Sequence, residues 1–217
     1  MSNTSDNKNY CTIYLVRHGE TEGNISHLLQ GQHDSPLTAN GIKQAQTLAV
    51  ELKSAHFSAI YSSDLLRAYK TAEYVAIDQQ LTVTTTKLLR ERFFGRFEGK
   101  PWLYFQRKLE MLLAEHQELT NTKNLFHQVD PAVESDDAIA ERAIRFLRQV
   151  ALVHLRQSIL VVTHGGTMRA VLLHLGVIKE ENLRLVTINN TAYIKLHSDG
   201  TDFFIDATVG ITKSPQI

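Results

Sequence analysis

Residues 158–163, SILVVT, with four apolar residues in a row, lead into His-Gly-Gly and then into a second apolar stretch, TMRAVLLHLG. A short apolar run closed by turn residues reads as a buried strand, and the stretch after the glycines reads as a helix. TIYLV (12–16) and FSAIYSS (57–63) are further short strands, and LTVTTT (81–86) is β-rich. Helical spacing recurs between them. Ile42, Ala45, Leu48, Ala49 and Leu52 follow Thr38 as an N-cap, and Leu65, Ala68, Ala72 and Val75 follow Asp64 as another. Ser135-Asp136-Asp137 opens a long helix to about His154 with Ile139, Ala143, Phe146, Leu147 and Val150 on one face. Residues 102–119 read as helix and NTKNLFHQVDP (121–131) as a loop. The runs 184–188 and 192–197 read as two strands separated by Asn189-Asn190, and FFID (203–206) as one more. Strands alternating with helices predict a three-layer α/β/α sandwich with a mostly parallel central sheet.

The chain has 217 residues, enough for one domain. We expect that domain over 10–212, with a disordered tail at 1–9 (MSNTSDNKN), a loose end at SPQI, and a lid or specificity insertion at about 100–134. Lys plus Arg equals Asp plus Glu, 23 each, so no global field points to nucleic acid or membrane, and any anion site must be a local cluster. Cys11 is the only cysteine, which excludes an intramolecular disulfide and suits a reducing compartment. No apolar run approaches the roughly 18–20 residues that span a bilayer, and the first residues lack the apolar core of a signal peptide. The expectation is a cytoplasmic soluble protein, monomer or homodimer.

In open α/β sheets ligands bind beyond the carboxyl ends of the strands. Arg17 and His18 stand at the end of the first strand, in YLVRHGETEGN, and His164 stands at the end of SILVVT, just ahead of Gly165-Gly166 and a helix N-terminus. Arg67 lies in the first turn of the helix after the second strand. Two guanidinium groups and two imidazoles meeting at one sheet edge repel each other unless an anion lies between them. A phosphoryl group would accept from each donor and from the helix end. A metal fits poorly, because arginine cannot ligate one and its charge repels a cation. Singly, each residue has a duller reading: Arg67 as a solvated charge, His164 as a turn histidine, Glu91 among Arg90, Arg92 and Arg96 as a surface ion pair. Together they do not.

Four segments in order, LVRHGETEGN, SSDLLRAYKTAE, LLRERFFGRFEG and VVTHGGTMRAVL, resemble the signature segments of the histidine phosphatase superfamily. This is the branch that holds cofactor-dependent phosphoglycerate mutases and many small metabolite phosphatases. The resemblance implies a phosphoglycerate mutase-like fold and a metal-independent phosphatase acting on small phosphorylated metabolites, with no cofactor. It implies His18 as the nucleophile, with its other ring nitrogen donating to a backbone carbonyl, and Arg17, Arg67 and His164 around the phosphoryl oxygens. Asn24 would touch the same group, Gln30 and Gly31 would line the substrate, and Gly165, ahead of the helix N-terminus, is expected to bind substrate as well. Glu91 would be the proton donor, with Glu98 as its local competitor. The other histidines, and Tyr69, Lys70 and Arg169, are read as structural or surface residues.

Two alternatives stand beside this reading. A mutase of this branch has a tyrosine after the acid's Glu-Arg, a lysine a little later and an adjacent arginine pair on a longer insertion. Here Phe94 and Trp102 fall at the first two places, and no Arg-Arg pair occurs between Gly99 and Ser135. A non-catalytic phospho-ligand-binding module could keep the arginines, but would not need His18, Glu91 and His164 together.

Overall fold

The structure, a computed structural model, describes residues 9–115, 125–179 and 185–213. Four strands are parallel: β1 (Cys11–Arg17), β2 (Phe57–Ser63), β3 (Val83–Thr86) and β4 (Ser158–Thr163). β5 (Val186–Ser198) runs antiparallel to β1, and β6 (Phe203–Lys213) antiparallel to β5, giving the order β3-β2-β4-β1-β5-β6. The helices are α1 (Glu22–Ile25), α2 (Ala39–Glu51), α3 (Leu66–Asp78), α4 (Trp102–Glu115), α5 (Leu125–Val129), α6 (Asp136–Val153) and α7 (Gly165–His174).

Alternation along the central strands explains why Ile159–Val162 within β4 are all apolar. Ile159 and Val161 face one core with Ala143, Phe146 and Leu147 of α6 and Met168 and Val171 of α7. Leu160 and Val162 face the other, with Leu48 of α2 and Ala68, Ala72 and Val75 of α3. A parallel strand covered by helices on both sides has no solvated face to make polar. The expected three-layer sandwich is therefore present, mixed in hand only at its β5–β6 edge.

Several local expectations change. Asp64 does not cap α3: the N-cap is Leu65, with no side-chain cap bond. The Asp64 carboxylate instead takes both Nε and Nη2 of Arg90, each at 2.7 Å, because a bidentate charged pair outcompetes one backbone N–H. Within the expected loop 121–131, residues 125–129 form α5. The two late strands are one, β5, whose ladder with β6 shifts register between Ile188 and Tyr193. Thr191 absorbs the irregularity at φ +57, so Asn189-Asn190 marks a bulge and not a break. FFID extends to eleven residues as β6. The caps at Thr38 and Ser135 are present, accepting from Gly41 N and Ala138 N. The tail 1–8, the end SPQI, the helix extension 116–119, loop residues 121–124 and Arg184 lie outside the described residues.

The stretch between β3 and α6 packs around a small centre of its own. Phe94, Phe97, Phe105 and Val133 are buried there with Leu29, and Phe126 and Val129 pack against them. No helix among the described residues is long and apolar enough to cross a membrane.

Candidate active site

The register of β1 on β4 places Arg17 opposite Thr163, so the residues that follow them, His18 and His164, emerge side by side. His18 N donates to Thr163 O at 3.0 Å, and the two imidazole rings lie 5.1 Å apart, edge to face. Both are almost inaccessible, at 4% and 0% exposure.

His18 is held by its own turn. Its Nδ1 lies 2.7 Å from Gly19 O. A carbonyl can only accept, so Nδ1 carries the proton and Nε2 keeps the lone pair. Gly19 N donates to Thr71 Oγ1 at 2.9 Å, and Thr71 in turn donates to Arg67 O, which ties the turn to α3. Gly19 has to be glycine: a Cβ there would stand 2.6 Å from Gly41 O of α2.

Arg67 is the largest fully buried side chain among the described residues, 1% exposed. Its Nη1 and Nη2 donate to His33 O (3.0 Å) and Gly31 O (2.6 Å), and Asp34 lies 3.7 Å away. Arg17 Nη1 donates to Ile188 O. Five buried side-chain atoms have no hydrogen-bond partner among the described residues: Arg17 Nε, Arg67 Nε, both ring nitrogens of His164, and Gln30 Oε1. A native interior rarely leaves such groups unpaired; here two belong to Arg17 and Arg67, which line one cavity with His18, and two to His164, which packs against the His18 ring.

Glu91 is placed by a chain of backbone anchors. Thr163 Oγ1 donates to Leu89 O, Thr167 Oγ1 to Arg90 O, and Arg142 to Leu88 O and Glu91 O. The carboxylate then accepts from Arg92 N (2.7 Å) and Gly166 N (2.9 Å). It is the one acid that acts electrostatically on Arg17, Arg67 and Arg169 alike. Glu98 does different work: its Oε1 accepts from Gln32 N and Phe94 N and braces Gly31, whose φ is +54.

Together Arg17, His18, Asn24, Gln30, Gly31, Arg67, Glu91 and Gly166 line one cavity of about 460 Å3. Asn24 Oδ1 is taken by Thr21 and Asn190, so its N–H2 end is what it can offer a guest. Gly31 holds Arg67 through its carbonyl as well as lining the wall. Gly165 is not among the residues lining the cavity; it lies behind Arg17, where a Cβ would make ordinary contact at 3.4 Å from Nε. His164 is the N-cap of α7, whose first-turn N–H groups add partial positive charge.

Three residues escaped the sequence reading. Asn190 Nδ2 donates to His18 O at 3.1 Å as well as to Asn24. Arg169 lines the cavity, with Nε on Val186 O, where we had expected a structural residue. Arg92 lines it too, paired with Asp136 and donating to Glu134 O. The signal for Asn190 was the polar pair interrupting an apolar run. Arg169 lies one helical turn beyond Gly165, on the same face of α7.

Electrostatics follows from burial. Desolvation, then Arg67 and other nearby cations, hold both His18 and His164 well below the ordinary histidine value of 6.5. Burial also pulls Arg17 down to about 10, with Glu91 opposing. The two imidazoles are thus neutral in the fold. As pH falls through about 6.5 the unfolded chain binds protons that the folded chain refuses, so stability should fall with it. Thermal melts in phosphate-free buffer between pH 8 and pH 5 should show a declining midpoint, and a His164→Asn variant should show a shallower decline.

Gly166 makes a sharper test. A Cβ there would overlap Glu91 Oε1, yet its φ is not in the left-handed region. Gly166→Ala should therefore fold normally while pushing the carboxylate aside. Turnover should drop about 10–100-fold with little change in melting temperature, because a displacement near 1 Å is costly to chemistry and cheap to packing.

The chain matches the histidine phosphatase superfamily (branch 1) over residues 13–209. It belongs to that superfamily. It is accordingly an enzyme of the phosphatase type. It is 35% identical to putative phosphoserine phosphatase 2 of Hydrogenobacter thermophilus, over 87% of this chain and 90% of that one. It is also 35% identical to the adenosylcobalamin/α-ribazole phosphatase of Escherichia coli, over 72% and 74% respectively. Among solved structures, a phosphoglycerate mutase from Bacillus anthracis superposes with TM-score 0.82 at 26% identity, covering 94% of each chain. The superfamily member's sheet and site edge are the ones described above. No group of three or more His, Cys, Asp or Glu among the described residues is arranged to hold a metal ion.

Proposed function

We propose that the protein hydrolyses small phosphomonoesters without a metal, through a phosphohistidine on His18. The observation that carries this reading is the set of unpartnered donors on Arg17, Arg67 and His164 around a neutral His18 whose Nε2 lone pair is free to attack. In the first step Nε2 forms a bond to phosphorus as the ester P–O bond breaks, and Glu91 protonates the departing alkoxide. In the second, water attacks phosphorus, Glu91 takes its proton, and the N–P bond breaks to release inorganic phosphate and neutral His18. Arg17, Arg67, His164 and the N–H2 of Asn24 bind the non-bridging oxygens throughout, and most strongly where charge gathers in the transition state. Gln30 and Gly31 shape the wall beside them.

Hydrolysis is favoured over intramolecular return of the phosphoryl group. Phe94 stands at the place of the mutase tyrosine and Trp102 near that of its lysine, so a phosphorylated acid loses two polar contacts. Relatives named as phosphatases support the same choice. The test is to quench the enzyme in alkali during turnover and map the modified peptide. An alkali-stable, acid-labile phosphoryl group on His18 is expected, together with inhibition by vanadate and indifference to chelators. Labelling elsewhere, or strong activation by added divalent metal, would overturn the mechanism.

A further inference from the structure

The cavity is far larger than a phosphoryl group needs, and the two parts of its wall differ in chemistry. The strand ends supply cations and donors. The segment between β3 and α6 supplies Phe94, Trp102, Leu109 and Phe126 to the same cavity, and Leu28 joins them from beyond α1. These rings are locked against one another: Phe126 lies 6.2 Å from Phe94 and 6.1 Å from Trp102, and all three pack around the buried Phe105. Arg92 belongs to this wall as a flat surface and not as an open charge. Its guanidinium lies 5.1 Å from the Phe126 centroid and 6.0 Å from Phe94, and its charge is met by Asp136. The polar pair on this side, Gln106 bonded to Glu110 at 3.2 Å, presents an acid to whatever enters.

We propose that this aromatic wall is a receptor for a planar apolar ring on the alcohol of the phosphomonoester, so that phosphate esters of uncharged, ring-bearing alcohols are preferred over small phosphorylated acids. The inference rests on the phosphatase reading of His18. Its physical basis is desolvation: a ring laid against the cavity side of Phe94, Trp102, Leu109 and Phe126 leaves water for an apolar, aromatic environment. On this wall a second carboxylate would instead meet Glu110, while the Arg92 guanidinium is already paired with Asp136. A cavity of about 460 Å3 holds such a ring together with the phosphoryl group.

Three alkyl esters separate recognition from leaving-group chemistry: 2-phenylethyl phosphate, ethyl phosphate and O-phosphoserine. We expect kcat/KM for the phenylethyl ester to exceed each of the others by about tenfold or more, the gain that burying one ring provides. In Phe126→Ala the phenylethyl-to-ethyl ratio should fall several-fold. Trp102 is the only tryptophan of the chain and gives a readout that needs no change in the wall. In the His18→Ala protein its emission should shift on adding 2-phenylethyl phosphate and not on adding ethyl phosphate. Hydrolysis of ethyl phosphate with a ratio near one, or phosphoserine as the best of the three, overturns the receptor and leaves the phosphatase standing. No hydrolysis of any ester overturns both.

Discussion

Replacing His18 with alanine should lower phosphomonoester turnover by at least about 10^4-fold, the scale on which loss of a covalent nucleophile acts. The ring is buried, its proton is fixed on Nδ1 by the Gly19 carbonyl, and the imidazole packed beside it among the described residues is that of His164. His164 is not positioned by any hydrogen bond to its ring among the described residues, so it offers no equivalent substitute. The fold should survive, because the His18 backbone, and not its side chain, carries the bonds to Thr163 and Asn190. Binding should survive as well. Arg17 and Arg67 remain, so vanadate or phosphate should still raise the melting temperature of the variant by mass action. Loss of turnover with retained anion binding would assign His18 to bond making. Turnover within about tenfold of the parent would end the phosphohistidine mechanism.

Glu91→Gln should cut hydrolysis of alkyl phosphates about 10^2–10^4-fold, the usual worth of a positioned acid–base group. Its signature lies in how the loss depends on the leaving group. Nitrophenolate departs without a proton, so the first step with p-nitrophenyl phosphate should survive, while the second, which needs a base to take a proton from water, should not. The expected record is a burst of about one equivalent of nitrophenolate followed by slow turnover, with phosphoenzyme accumulating. Glutamine fills the same volume but has one acceptor, so it can keep only one of the bonds from Arg92 N and Gly166 N. An equal loss for alkyl and nitrophenyl esters, with no burst, would mean that Glu91 serves the architecture and that the proton comes from elsewhere.

The parts of the site that could be read from sequence are those fixed by strand ends. Arg17-His18 and His164 follow short apolar runs, and parallel pairing of such runs brings their carboxyl ends together whatever the rest of the chain does. Arg67 was legible for a related reason, since the first turn of the helix after β2 lies at that same edge. Glu91 and Glu98 were harder to tell apart, because both sit in an irregular stretch whose path is set by distant side chains, namely Thr163, Thr167 and Arg142. Asp64 illustrates the same limit. As a capping residue it obeys local preference, but Arg90, far along the chain, offers it a stronger partner. Arg92 carries no local mark, and burial distinguishes it from a surface charge, while Arg169 is marked only by its helical spacing from Gly165. The β5 bulge was visible as Asn189-Asn190 but not its outcome, because continuing a ladder across a polar pair depends on what pairs with each side.

The separate packing centre around Phe105 carries one more implication. In the proposed reading chemistry and recognition would fall to different pieces of the chain: the sheet edge would hold the phosphate, while the self-packed aromatic module would meet the rest of the molecule. A module that brings its own interior can be traded or redrawn without retuning the nucleophile, which gives a lineage a short route from one metabolite to another and gives an engineer a natural cut point for chimeras.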